Sequence, residues 1–232
     1  YLYKDLGIVG SENDIPKYYS RQGNLVPLSS SLSYPYVVGS RLIQDMDGDG
    51  VINNNDKYYA GSTLPKAYGG WANEIRWKDF DLNVLFTFTL GRKMVNVYGI
   101  NSLSFNNRWK PILLDYSEVN YWQQPGDSEK YPIITASASG YQGQFDGMFS
   151  SNVENVHYLR LKQLTLGYNF PKEWMNKVHI DGARLFLTAE NLFLLTNYSG
   201  VDPEAVSPYS GLDNFTNYPL ARKLTIGLTL NF

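Results

Sequence analysis

Residues 224 to 232 read Leu-Thr-Ile-Gly-Leu-Thr-Leu-Asn-Phe. Leu224, Ile226, Leu228, Leu230 and Phe232 fall at every second position, with Thr225, Gly227, Thr229 and Asn231 between them. Side chains alternate across a β-strand, so this segment predicts a strand with one apolar face and one small, polar face. The pattern recurs upstream. Phe80, Leu82, Val84, Phe86, Phe88 and Leu90 share one parity, facing Asp79, Asp81, Asn83, Thr87 and Thr89 on the other, with Leu85 as the exception. Before them Trp71, Ile75 and Trp77 alternate with Ala72, Glu74 and Arg76, and Lys78 and Asp79 make a tight connection, so 67–90 reads as a hairpin. Leu164, Leu166, Tyr168 and Phe170 run up to Pro171, and Leu185, Leu187 and Ala189 lead into Asn191, Leu192 and Phe193. Five strands are predicted in this way, and Tyr1 to Val9 suggests part of another.

The links between them are sorted by length. Residues 78–79 and 171–181 are short, whereas 94–156 and 196–219 are long and rich in Asn, Ser, Gly, Pro and Tyr. An up-and-down barrel of the outer-membrane type has short turns on the periplasmic side and long loops outside. With Phe232 at the periplasmic end, the long links and residues before 66 fall outside. Leu228, Leu230 and Phe232 are then the terminal signal for barrel assembly. Trp71, Trp77, Tyr98, Tyr158, Tyr168, Tyr198 and Tyr218 are candidates for the aromatic girdles at the membrane interfaces.

Composition agrees. Of 232 residues only 18% are charged, below the roughly 25% of soluble domains, while 15% are aromatic. Twenty Lys and Arg against 22 Asp and Glu leave a net charge of -2, which disfavours binding to a phosphate backbone. The lack of any apolar run of roughly 18 residues excludes a membrane-crossing helix but not a barrel, whose strands are half polar. With no Cys, disulfides, thiolate metal sites and a cysteine nucleophile are all absent. The chain starts at Tyr1 without a signal sequence, so a fragment or a processed product is expected. Five or six strands close no barrel, and an open edge in lipid costs several kcal/mol for each unpaired backbone group.

Residues 45–56 carry a separate signal. Asp45, Asp47 and Asp49 stand at positions 1, 3 and 5 of a calcium-type loop, Gly50 at the turn position and Val51 where a carbonyl ligand is used. Asn53 falls at position 9 and Asp56 at position 12, where a shorter Asp replaces the usual bidentate Glu. A structural Ca²⁺ ion that stiffens an exterior loop is expected. The alternative is a solvated Asp/Gly/Asn turn.

The ordered wording Gln44 to Ile52, Gly61 to Lys66, Tyr68 to Gly70 and Phe80 to Leu82 resembles the late barrel region of SusC/RagA-type TonB-dependent outer-membrane transporters. Tyr158 to Lys162, Thr165 to Pro171, Glu190 to Phe193 and Asp202 to Glu204 resemble the same family's closing segments. The likeness spans roughly 40–232. It implies an all-β chain forming about five to six C-terminal strands of an antiparallel transmembrane barrel of about 22 strands, without its N-terminal plug. It further implies TonB-dependent import of a glycan or peptide across the bacterial outer membrane, with a SusD-like surface lipoprotein as partner. The alternative reading is a secreted, calcium-containing, carbohydrate-binding β-sandwich.

No enzyme activity is expected. His157 and His179 lie far apart without a nucleophile motif, and Glu154, Glu173 and Glu190 have no partner that spacing reveals. In the long link, Trp109, Tyr116, Tyr121, Trp122, Tyr141 and Phe145 are candidates for stacking on a ligand, for anchoring a partner, or for packing the loop on itself.

Overall fold

The computed structural model describes residues 1–30, 36–97, 120–127, 133, 148–213 and 218–232. The chain divides into two compact units, one of residues 1–61, 95–153 and 212–215, the other of residues 62–94, 154–211 and 216–232.

One five-stranded sheet organises the chain. It contains β9 (Ala67–Trp77), β10 (Phe80–Val95), β11 (Val153–Asn169), β12 (Gly182–Thr196) and β13 (Lys223–Asn231). Each strand is bonded to its neighbours in chain order, and the sheet is antiparallel. The strands run from 9 to 17 residues, enough for the about 9–11 that a tilted strand needs to cross a bilayer. No described helix is long and apolar enough to span. The short α-helix α1 (Lys172–Asn176) is a single turn after Pro171. It ends with His179 in the left-handed region, where Ile180 N–H returns to the Met175 carbonyl.

Register assigns the faces, because directly opposed residues in an antiparallel pair point the same way. β9 and β10 pair without slip from Trp77 opposite Phe80 to Ala67 opposite Leu90. Trp71 therefore lies beside Phe86 and Ile75 beside Leu82. Leu166, Leu187 and Ile226 form one rung across β11, β12 and β13, and Leu185 faces Leu228. This face is open: Ile226 is 72% exposed, Leu224 67% and Trp77 65%. Aromatic rings run along it, with Trp71 stacked on Phe86 at 5.7 Å and Phe80 4.8 Å from Tyr168.

The opposite face is polar and closely fitted. Asp81 accepts from Arg184 and from the Asn169 amide at 3.1 Å, and Thr165 and Thr188 pair at 3.0 Å. Phe186 lies over Gly227, where a Cβ would stand 2.2 Å from its ring. The small residues of the polar parity thus make room for large neighbours. An apolar face left open over a polar one is the arrangement of a wall between lipid and a wet lumen.

The pattern breaks between β11 and β12. Leu161 opposes Phe193 and Gln163 opposes Glu190, so Asn191 and Leu192 face Lys162 alone. This is a β-bulge, and Asn191 takes a φ of 53° within it while its side chain donates to the Ala221 carbonyl at 3.0 Å.

In the other unit the strands are short. β1 (Leu2–Tyr3) pairs with β8 (Lys57–Tyr58), β2 (Asp5–Ile8) with β6 (Arg41–Ile43), β3 (Lys17–Tyr19) with β4 (Leu25–Pro27), and β5 (Ser29–Ser30) runs parallel to β7 (Val51–Ile52). Residues 1–9, where part of a further strand is suggested, thus form β1 and β2 and pair outside the five-stranded sheet. They close over a core of Val9, Leu28, Ile43, Ile52 and Phe149.

Candidate functional site

Three groups of residues bear on function. The first is the acidic loop. Carboxylate oxygens of Asp45, Asp47 and Asp49 lie within 4.8 Å of one another. Asp45 accepts from the N–H groups of Gly48 (2.7 Å) and Gly50 (2.8 Å), both glycines having positive φ. Asp47 accepts from Asp49 N–H and Asp49 from Val51 N–H. Each side chain curls back on the loop, and this turns the three carboxylates toward a common point.

Asp56 behaves differently. It is fully buried, and its two oxygens accept from Met46 N–H (2.8 Å) and Asn53 N–H (2.7 Å), which ties the two ends of the loop together. Asn53 caps the following turn by accepting from Asn55 N–H and donates to the Val51 carbonyl at 3.1 Å. The arrangement thus brings the first three predicted ligands together and uses the last two to close the frame.

The charges follow from this geometry. Burial pushes the Asp45 carboxyl up, but hydrogen bonds from Gly50, Gly48, Tyr18 and Asp56 outweigh it and hold it below the usual carboxylate range. Its contribution to stability is present above the unfolded value and is lost as pH falls through the lowered one. For Asp56, burial raises the carboxyl, the Asn53 and Met46 N–H groups oppose that, and the negative Asp45 and Asp47 add to it, with a net upward shift. The sign reverses here: stability is lost as pH rises from the unfolded value through the raised one. A cation among the three outer carboxylates would relieve part of that repulsion.

The second group is the set of loop aromatics. Trp122 is buried, lying so close to Gly39 (φ 87°) that a Cβ there would meet its ring at 2.4 Å. Tyr121 is half-buried. Trp109, Tyr116, Tyr141 and Phe145 lie outside the described residues, as does Tyr98. Of the girdle candidates, Trp71, Trp77 and Tyr218 are exposed, but Tyr198 is a core residue packed with Met94, Val156 and Val206. Leu228, Leu230 and Phe232 are exposed at the edge strand β13.

The third group was not singled out as a site by sequence reasoning. Arg160, with its side chain only 3% exposed, pairs with Asp202 at 2.5 Å and with Glu204 at 2.7 Å, and Lys162 pairs with Glu204 at 2.7 Å. Asp202 also accepts from Glu204 N–H and Leu220 N–H, each at 3.0 Å. Two stretches that carry the family wording, Tyr158 to Lys162 and Asp202 to Glu204, therefore meet as one balanced ionic seam. Their spacing in the chain hides this, although alternate basic residues on one segment and alternate acids on the other are the trace of it. The described histidines are not brought together with a nucleophile: His157 accepts from Gly91 N–H at 3.1 Å, and His179 ends the α1 turn.

No family model matches the chain. TonB-dependent receptor SusC of Bacteroides thetaiotaomicron is 30% identical to it over 189 residues, which are 81% of this chain and 17% of that protein. TonB-dependent receptor P3 of Formosa agariphila is 28% identical over 221 residues, 90% of this chain and 21% of that protein. Among solved structures, that of the RagAB peptide transporter matches with a TM-score of 0.60 and 24% identity, covering 100% of this chain and 22% of that one. The chain spans about a fifth of the length of the curated relatives it matches. Matched in sequence to these receptors and in fold to a transporter barrel, the chain belongs to the SusC/RagA-type TonB-dependent receptors and forms part of an outer-membrane β-barrel.

Proposed function

We propose that this chain supplies wall and exterior loops to a transporter that imports an oligosaccharide or a peptide across the outer membrane, driven through TonB and assisted by a SusD-like surface lipoprotein. The observation that carries the reading is the five-stranded sheet with its apolar face open and its polar face fitted. A secreted sandwich would cover that apolar face with a second sheet. The reading contains no catalytic step.

The test uses the full-length protein in a bacterium that encodes it. Deleting the gene is expected to abolish growth on one class of nutrient, soluble oligosaccharides or oligopeptides, with rescue by a plasmid copy and the same loss when tonB is deleted. In the rescued strain, a cysteine in place of Thr225 should react with a water-soluble maleimide far faster than one in place of Ile226. Equal labelling, or undiminished growth on both classes, would overturn the reading.

A structural calcium ion in the loop 45–56 belongs to the same proposal. Its support is the convergence of Asp45, Asp47 and Asp49, whose carboxylate oxygens lie within 4.8 Å of one another. Titrating the full-length protein with CaCl₂ should show saturable binding that Asp47→Ala weakens roughly tenfold or more, since charge count tunes such loops. Unchanged affinity would defeat it.

A further inference from the structure

The ionic seam is one half of a larger device. The other half is Arg92, near the end of β10, which is buried and gives its donors to main-chain carbonyls. Its Nε donates to Thr63 at 3.1 Å, its Nη1 to Pro203 at 3.1 Å, and its Nη2 to Val206 at 3.0 Å and Ser207 at 2.6 Å. Three of these carbonyls belong to the link that follows β12. A planar guanidinium has five donors fixed in a fork and can hold these four carbonyls at once, whereas an ammonium has only three donors, all on one atom.

The same link is fastened at several points between residues 197 and 211. At its start, Asn197 accepts from His157 N–H at 2.8 Å and donates to the Asn155 carbonyl at 2.9 Å, and Ser199 bonds Glu154. Tyr198 and Val206 are buried in the core beside Met94 and Val156. In the middle lies the seam of Arg160 and Lys162 with Asp202 and Glu204. At its end, Thr63 donates to the Pro208 carbonyl at 2.9 Å, and Gly211 sits where a Cβ would be 2.5 Å from Thr63 and 3.1 Å from the Lys93 carbonyl.

An exterior link that moves during uptake is drawn from the least stable parts of a fold, with few buried contacts and solvated hydrogen bonds. This one has the opposite character. We propose that residues 198–211 are a permanently fastened strap, with Arg92 and the Arg160 seam as positioning residues that hold the outer ends of β10, β11 and β12 together, and that the strap takes no part in gating. That the strap is fastened stands on the fold alone and survives if the import reading fails; that it takes no part in gating rests on that reading.

Hydrogen exchange on the full-length protein in detergent micelles tests it. The amides of Glu204, Ala205 and Gly211, which donate within the strap, should exchange about as slowly as those of β12. Arg92→Lys keeps the charge but loses the fork, and should speed exchange across 203–211 roughly tenfold or more while β12 and β13 stay protected. Should that variant fail to fold, Glu204→Gln, at the half-buried rim of the seam, is expected to show the same effect at 202–205. Strap amides exchanging at the rate of unstructured peptide in the unmodified protein would overturn the proposal. So would protection left unchanged by the substitutions.

Discussion

At the scale of the residue, several positions owe their identity to what stands across from them. Gly227 occupies the polar parity of β13 because the Phe186 ring fills the place of its side chain. Gly227→Val should therefore destabilise the barrel by about 1–3 kcal/mol through overpacking, and Phe186→Ala in the same protein should recover part of that loss. Urea unfolding of the full-length protein in micelles checks both, and additive effects of the two changes would show that the ring and the glycine are independent. Gly167 makes the same kind of room, since a Cβ there would lie 2.5 Å from Asp81 and Arg184. Asp56 stands at position 12 of the calcium-type loop, and its burial and two N–H donors make its carboxylate a clasp for the loop ends.

Among the elements, the long strands were legible because a period of two over nine or more residues is hard to mistake, and Leu224 to Phe232 alone displays it. The short strands of the other unit were not, since two to four residues carry no period. The bulge in β12 was legible only as wording: Glu190 to Phe193 stood out as a family phrase, and its physical content is an Asn held at a φ of 53°. Asn tolerates this region and its side chain is used, so Asn191→Gly should cost only the bond to Ala221, about 1 kcal/mol. Asn191→Val adds backbone strain of about 1–3 kcal/mol. The expected order of thermal stability is Asn, then Gly, then Val, and a Val variant as stable as the Gly one would contradict the bulge. The strap escaped sequence reading for another reason. Arg160 and Asp202 are 42 residues apart, and residue type alone does not reveal proximity across such a distance.

For the molecule as a whole, the separation of an open apolar face from a fitted polar one was predictable, while the tertiary clamps of Arg92 and Arg160 were not. The large sheet adds one strand after another in chain order, so every pairing within it is local to a hairpin or to consecutive strands. No strand is threaded between two that were laid down earlier. A gene that gains or loses a hairpin at the Lys78–Asp79 turn therefore alters the circumference of the sheet and changes partners only at that junction. Recombination among related receptors can exchange such blocks whole, and a lineage can acquire new exterior loops while the wall away from the junction keeps its old pairings.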